Sequence, residues 1–382
     1  MATEEKFTPY AGVDETVDAA ASAAVVKAFQ PPGRLFLMGI MAGIFIGIGF
    51  WLAVTVSSAF WTTKVTGFDA ATHKLVTEPF NVAWPLNPSA MMKFLLGAVF
   101  PVGLIAVCIG GAELWTGCAN VIPLGYMQKK LKLKALIYNW VTAYGGNWVG
   151  SVFLAFLATY GSTLLLASPF RDELISVVWA KVNLSPWEAF WRGVGCNFLV
   201  NLAIWLWLRS KKGDFMGQAF LIWFPIFTFV TIGFEHSIAN MFLIPAAIFA
   251  SPLALKQYII TYYDFFFNNL LPVTYGNLVG GFVFIALVYW YVGMVKGSKY
   301  GEATPTDALK YAAEILLLAG IVHHVLEVAV PGAIAVAVEK ALGLSAGINL
   351  TNAGMALIPA VITGIYYALL PFIVYKALKP LK

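Results

Sequence analysis

Gly233-Phe-Glu-His-Ser-Ile-Ala-Asn-Met241 is the stretch on which the reading of this chain turns. It lies inside an apolar run from Met216 to about Ala250. That run is too long for one simple spanning helix, since about twenty residues cross a bilayer. Glu235 and His236 stand side by side near its middle, where an ionisable side chain is costly and by default marks a pathway or a proton relay. The plainer alternative is a histidine hydrogen-bonded within helix packing. Imidazole changes charge near physiological pH, so it can meet an anion either as a neutral donor or as a cation.

A second long run, Phe94 to about Met127, carries a matching stretch. Gly111-Ala112-Glu113 lies over Gly233-Phe234-Glu235, and Ile122-Pro123 over Ile244-Pro245 at the same distance. In the spans that follow, Asn147-Trp148-Val149-Gly150 lies over Asn277-Leu278-Val279-Gly280. Each half then holds three spans, and an odd number inverts the second half relative to the first. Breaking a helix frees backbone N–H and C=O groups at mid-membrane depth, which is tolerable only where protein or a watery path satisfies them. The two breaks are therefore expected to face each other across a central conduit, with half-helix N-termini offering partial positive charge to an anion. Glu113 and Glu235 are expected to be structural, accepting the freed N–H groups. Alternatively, Glu235 holds His236 in its tautomer. Thr116 either offers a hydroxyl to a passing anion or caps a helix.

The rest of the chain agrees with a membrane body. Of 382 residues 60% are hydrophobic and 11% charged, with a mean hydropathy of +0.79, whereas roughly a quarter of a soluble domain is charged. The other spans run from Leu35 to about Phe60, Ala135 to Ser168, Trp187 to Leu208, Leu270 to Met294, Ile315 to Val338 and Gly354 to Tyr375. The expected fold is all-α: a six-helix body of two inverted three-helix repeats, with helices 2 and 5 broken, plus two C-terminal membrane helices. Residues 1–34 form an N-terminal amphipathic segment, with the alanine-rich part from Val13 to Phe29 lying along the membrane surface. Residues 35–297 form the pore domain and 298–382 a helical hairpin, which starts at the capping sequence Thr304-Pro305-Thr306-Asp307. The polar N-terminus does not read as a cleavable signal peptide.

The net charge of +5 is informative loop by loop. Lys129–Lys134, Arg209–Lys212, Lys296–Lys310 and the tail residues Lys376, Lys379 and Lys382 share one side with the N-terminus. Lys64, Lys74, Arg171, Lys181 and Lys256 lie on the other. By the positive-inside rule both termini are cytoplasmic, in a cell membrane. Cys108, Cys118 and Cys196 are odd in number and lack metal-ligand spacing, so neither a disulfide framework nor a metal site is expected. His323 and Glu327 stand one helical turn apart beside His324, but two ligands do not specify a metal. No cofactor and no nucleic-acid surface is read.

Phe234-Glu-His-Ser-Ile-Ala-Asn-Met-Phe242, with Gly111-Ala-Glu-Leu-Trp-Thr116 and Pro272-Val-Thr-Tyr-Gly-Asn-Leu-Val-Gly-Gly281, resembles the formate/nitrite transporter family over about residues 15 to 297. The resemblance implies that the six-helix body has an aquaporin-like fold, in a homopentamer with a pore through each protomer, moving formate, nitrite, hydrosulfide or lactate-like monoacids. It places the family's central histidine on His236 and its first-loop threonine on Thr116. The lysine that draws anions into the outer vestibule falls on Lys181, and an asparagine sixteen positions later on Asn197. Constriction positions fall on Phe100, Leu104, Leu114, Trp115 and Phe229, with Trp115 where formate channels carry phenylalanine. Asn147 and Asn277 belong with Glu113 as structural residues of the breaks. The implied mechanism has the anion neutralised beside His236, with or without a proton carried across.

Two features depart from the family plan. The outer loop from Thr62 to Ala90 is long enough to reshape the vestibule. The hairpin 298–382 either pads the protomer against lipid or a neighbour, or docks a partner. Two other classes are distinguishable. An aquaporin-like channel for neutral solutes would carry paired Asn-Pro-Ala motifs, of which Asn87-Pro88-Ser89 is a single near match. A membrane anchor subunit of a redox complex would need facing histidine pairs to hold haem.

Overall fold

The computed structural model describes residues 10–58, 64–69, 74–79, 88–210, 214–251, 260–344 and 353–378. Lys211, Lys212, Lys256, Lys379, Lys382, Asn87 and much of the loop from Thr62 lie outside the described residues.

Helices follow the apolar runs. α1 (Val13–Ala28) precedes α2 (Pro32–Ser57), and a chain break in helicity separates α3 (Pro88–Val99), α4 (Val102–Gly110) and α5 (Trp115–Met127). α6 (Leu133–Phe156), α7 (Phe170–Val182) and α8 (Pro186–Arg209) follow, then the second interrupted pair, α9 (Phe215–Ile232) and α10 (Ser237–Ala250). α11 (Leu271–Gly281) and α12 (Val288–Gly293) are joined to each other by a π-helical turn over Phe282–Leu287, and another, Asp264–Leu270, leads into them. α13 (Pro305–His323), a π-helical turn over His324–Gly332, α14 (Ala333–Ala341) and α15 (Leu357–Leu378) complete the chain. Among the described residues, eight helices or continuous helical runs are long and apolar enough to cross a membrane. α10 is a shorter apolar helix.

Two elements differ from expectation. In the long loop after α2, β1 (Lys64–Asp69) pairs antiparallel with β2 (Lys74–Pro79), Lys64 opposite Pro79 and Asp69 opposite Lys74. The stretch 170–182, counted as loop, is the helix α7. Its Leu174, Ile175, Val178 and Val182 repeat at helical spacing and are buried, and two of its charged residues also face inward, Glu173 accepting from Ser57 Oγ at 3.0 Å and Lys181 pairing with Glu235. The hairpin's first helix starts at Pro305, where the capping sequence places it: Thr304 accepts the Asp307 N–H at 3.1 Å and Asp307 accepts the Thr304 N–H at 3.1 Å. That reciprocal pair satisfies two backbone donors at the helix start.

Each half of the body is held by the same small-residue contact. In the first, α2 packs along α6; in the second, α8 packs along α11. A side chain on Gly43 would strike the Asn147 carbonyl, and one on Gly280 the Val194 carbonyl. Such close backbone approach drives helix association where lipid is as apolar as the helices. The C-terminal hairpin packs on both halves, α13 along α11 and α15 along α6 and α2. Two tyrosines of the body pin it, Tyr275 Oη donating to the Gly320 carbonyl and Tyr262 Oη to that of Ala356, and Tyr367 Oη joins its two arms by donating to the Leu326 carbonyl, each at 2.6 Å. Its outer face, with Leu309, Leu317, Val361 and Ile365, stays exposed.

α1 is docked on the protein. Val17, Ala20, Ala21 and Ala24 are buried where it packs against α5 and α12.

Candidate functional site

Both breaks are built alike. α4 ends at Gly111 with φ 77° and α9 at Gly233 with φ 92°, a left-handed backbone that glycine adopts without strain. The chain then runs extended to the next half-helix. The Glu113 N–H donates to the Met38 carbonyl at 3.0 Å, and that of Glu235 to the Arg192 carbonyl at 3.2 Å. An asparagine from the third span of each half satisfies the remaining groups. Asn147 Oδ1 accepts the Trp115 N–H at 2.9 Å, while Nδ2 donates to the carbonyls of Gly39 and Glu113. Asn277 Oδ1 accepts the Ser237 N–H at 2.9 Å, while Nδ2 donates to the carbonyls of Gly193 and Glu235. One amide, which carries both donor and acceptor, thus satisfies one N–H and one carbonyl of each break and ties them to a carbonyl of the neighbouring helix.

The sequence reading gave that task to the glutamate side chains, and here it is corrected. A carboxylate can only accept, whereas the break also leaves carbonyls to be satisfied. The carboxylates hold lysines instead. Glu113 pairs with Lys27 at 2.8 Å and accepts from Cys118 Sγ at 2.8 Å. Glu235 pairs with Lys181 at 2.8 Å and accepts from Asn240 at 2.8 Å and Asn269 at 3.3 Å. Lys27 comes from α1, and its ammonium is held above the ordinary lysine value: burial, the largest single influence, works against the charge, and Glu113 together with Cys118 and Cys108 outweighs it.

Each lysine lines a cavity. On the side of the termini a cavity of about 400 Å3 is lined by Lys27, Leu104, Cys108, Glu113, Leu114 and Trp207. On the opposite side a cavity of about 440 Å3 is lined by Phe50, Lys93, Leu96, Lys181, Arg192 and Glu235. Between them the two breaks meet. His236 Nε2 lies 3.0 Å from Thr116 Oγ1, and its Nδ1 accepts the Ala239 N–H at 3.0 Å. An amide N–H can only donate, so Nδ1 carries no proton and Nε2 does, directed at Thr116. Glu235 has no part in that choice: its carboxylate is taken up by Lys181, Asn240 and Asn269, and the α10 backbone sets the tautomer.

Asn197 does not present its amide to a cavity. Its Nδ2 donates to the carbonyls of Thr116 and Asn277, and Asn201, one turn on, donates to the Thr116 carbonyl at 3.0 Å. Phe229 stacks 6.0 Å from the His236 ring and meets Phe100 edge-on at 5.7 Å. Phe100 in turn meets Phe50 of the opposite cavity at 4.7 Å. Leu104 and Leu114 border the termini-side cavity. Trp115 does not join the other constriction candidates. Its ring packs against Trp140, Tyr144 and His323, away from the cavities.

Sequence reasoning missed Lys27 and Asn201, and it noted His323 only as half of a weak metal pair, without its contact to Trp115. One signal was available for Lys27: if Glu235 needs a lysine, its repeat equivalent Glu113 needs one too. For Asn201 the spacing of one turn from Asn197 on an otherwise apolar helix was a weaker hint.

Comparison with known proteins agrees with this architecture. The profile of the formate/nitrite transporter family matches residues 14–291. A probable formate transporter of Methanothermobacter thermautotrophicus is 38% identical over 291 residues, covering 72% of this chain and 95% of that protein. The formate channel FocA of Escherichia coli (strain K12) is 32% identical over 286 residues, covering 72% and 91%. Among solved structures, an FNT family ion channel aligns with a TM-score of 0.59 at 29% identity, over 73% of this chain and 98% of its own. A pentameric formate channel with formate bound aligns with a TM-score of 0.54 at 30% identity, over 68% and 97%. With the fold, the broken helices and the matched span all in agreement, the chain belongs to the formate/nitrite transporter family, a family of membrane channels and transporters.

Proposed function

We propose that this protein conducts small monovalent anions, formate first among them, through a path that passes between His236 and Thr116. The observation that carries this reading is the Nε2–H of His236, directed at the junction of two interrupted helices and flanked on either side by a lysine-bearing cavity. Lys27 and Lys181 raise the local anion concentration at the two mouths. Phe100 and Phe229 on one side, and Leu104 and Leu114 on the other, make the passage of a bare charge expensive. At the centre the anion takes the place of Thr116 Oγ1 as acceptor, while the N-termini of α5 and α10 add partial positive charge.

The geometry favours a donated hydrogen bond over proton transfer from the ring. Loss of Nε2–H from a neutral imidazole would leave an imidazolate, and protonation at Nδ1 would strip the Ala239 N–H of its acceptor. A proton that crosses is therefore brought in on the acid itself. In this reading, residues 35–297 are the pore domain, both termini face the cytoplasm and five copies assemble around a common axis. Nitrite, hydrosulfide and lactate are the competing substrates.

Uptake into proteoliposomes tests the reading. Formate flux is expected to fall at least tenfold in His236→Ala, the loss of a charge-stabilising donor being worth about 1.5–3 kcal/mol. Competition among formate, nitrite, hydrosulfide and lactate at two pH values ranks the substrates. Unchanged formate flux in His236→Ala defeats the proposal.

A further inference from the structure

Two ionisable side chains inside the membrane body stand apart from the path. His323, at the end of α13, and Glu327, in the π-helical turn that follows, have Nδ1 and Oε1 3.3 Å apart, and neither side chain is exposed. Ionisable groups at such depth mark function more often than padding, and π-helical turns cluster at functional sites. The immediate surroundings show what the pair could act on. The His323 ring meets Trp115 edge-to-face at 4.6 Å, closer than its contacts with Tyr144 at 5.4 Å, Trp140 at 6.2 Å and Tyr275 at 6.4 Å.

Trp115 opens α5. Its backbone N–H is held by Asn147, and the next residue is Thr116, whose hydroxyl faces His236. One peptide bond thus separates a ring gripped by the C-terminal hairpin from the hydroxyl at the narrowest polar point. The hairpin lies beyond the part of the chain that matches the family, which ends at residue 291. A hairpin that merely filled space at the lipid boundary would need no buried polar pair, and such pairs serve to fix register more than to add stability.

We propose that His323 is a positioning residue that sets the anion preference of the filter: by holding Trp115 it fixes the Thr116 hydroxyl at its distance from His236, so that a one-carbon anion passes in preference to a three-carbon one. This rests on the reading of His236 and Thr116 as the filter. Loss of the imidazole lets the indole relax into the vacated space, turns the first residues of α5 and widens the gap.

The test is the ratio of formate to lactate flux in proteoliposomes containing full-length protein, a ratio that does not depend on how much protein has folded. His323→Ala is expected to lower it by about threefold or more, within the coupling range of contacting residues. His323→Phe, which keeps a ring against Trp115, is expected to hold the ratio within about twofold of the parent, as is Leu317→Ala on the exposed face of α13. In a Trp115→Phe background His323→Ala is expected to produce little further change, because the contact it removes is already altered. Should His323→Ala fail to fold, the same cycle is run with His323→Leu. A ratio unchanged by the loss of the ring, whatever the absolute flux, overturns the proposal, as does full additivity with Trp115→Phe. Persistence of formate flux in His236→Ala would instead defeat the underlying filter reading, so the two failures are told apart.

Discussion

At the scale of single residues, the two asparagines Asn147 and Asn277 show how a helix can be interrupted inside a bilayer at tolerable cost. Each side chain meets one N–H and one carbonyl freed by its break, together with a carbonyl of the neighbouring helix. Asn277→Leu keeps the approximate size and removes all three bonds. It is expected to destabilise the protein by about 3 kcal/mol or more, since each buried unsatisfied group costs about 1–3 kcal/mol; thermal unfolding in detergent measures the shift. A preserved melting temperature would mean that the break is satisfied by other groups. The lysines call for a different experiment. Lys181 lines its cavity and holds Glu235, so Lys181→Ala should weaken uptake most at low anion concentration, where local enrichment matters, and less near saturation. Lys181→Arg, which keeps the charge, should retain most of the uptake. A concentration dependence identical to that of the parent would remove Lys181 from the path.

At the scale of elements, the two halves depend on how closely α8 lies against α11 and α2 against α6. A side chain on Gly280 would meet the Val194 carbonyl and the Phe198 N–H, both backbone atoms that no rotamer can move. Gly280→Val is therefore expected to cost more than about 3 kcal/mol, the upper end of ordinary overpacking; a sharp loss of monodisperse protein on size-exclusion chromatography would register it. Much at this scale was legible beforehand. Matching glycines, glutamates and prolines located both breaks and their inversion, because a broken helix demands the same few residue types wherever it occurs. The helix α7 was not legible, since its charges mask a short apolar face. Nor was the partner of Glu113, which comes from 86 positions away on a helix that reads as a surface element. The direction of Trp115 was hidden for a related reason: its neighbour His323 belongs to a hairpin outside the repeat, and no pattern within the repeat refers to it.

At the scale of the whole molecule, the exposed surface is that of a body built to be surrounded. Large apolar side chains cover α9 at Phe215, Met216, Phe220 and Phe224, and α12 at Tyr291 and Val292. Part of such a surface is available to lipid and part to other copies of the chain. The five-fold assembly proposed above predicts a single oligomer of five chains in native mass spectrometry from mild detergent; a monomer under conditions that keep transport activity would count against it. The hairpin is pinned along α6 and α11, the third spans of both halves, so assembly must accommodate it at the rim or between protomers.

The ammonium–carboxylate pairs, Lys27 with Glu113 and Lys181 with Glu235, stand at opposite doors of the same corridor. A turnstile fitted with matching latches front and back has no exit side. In the path proposed above, which way an anion moves is then decided by the solutions on its two sides.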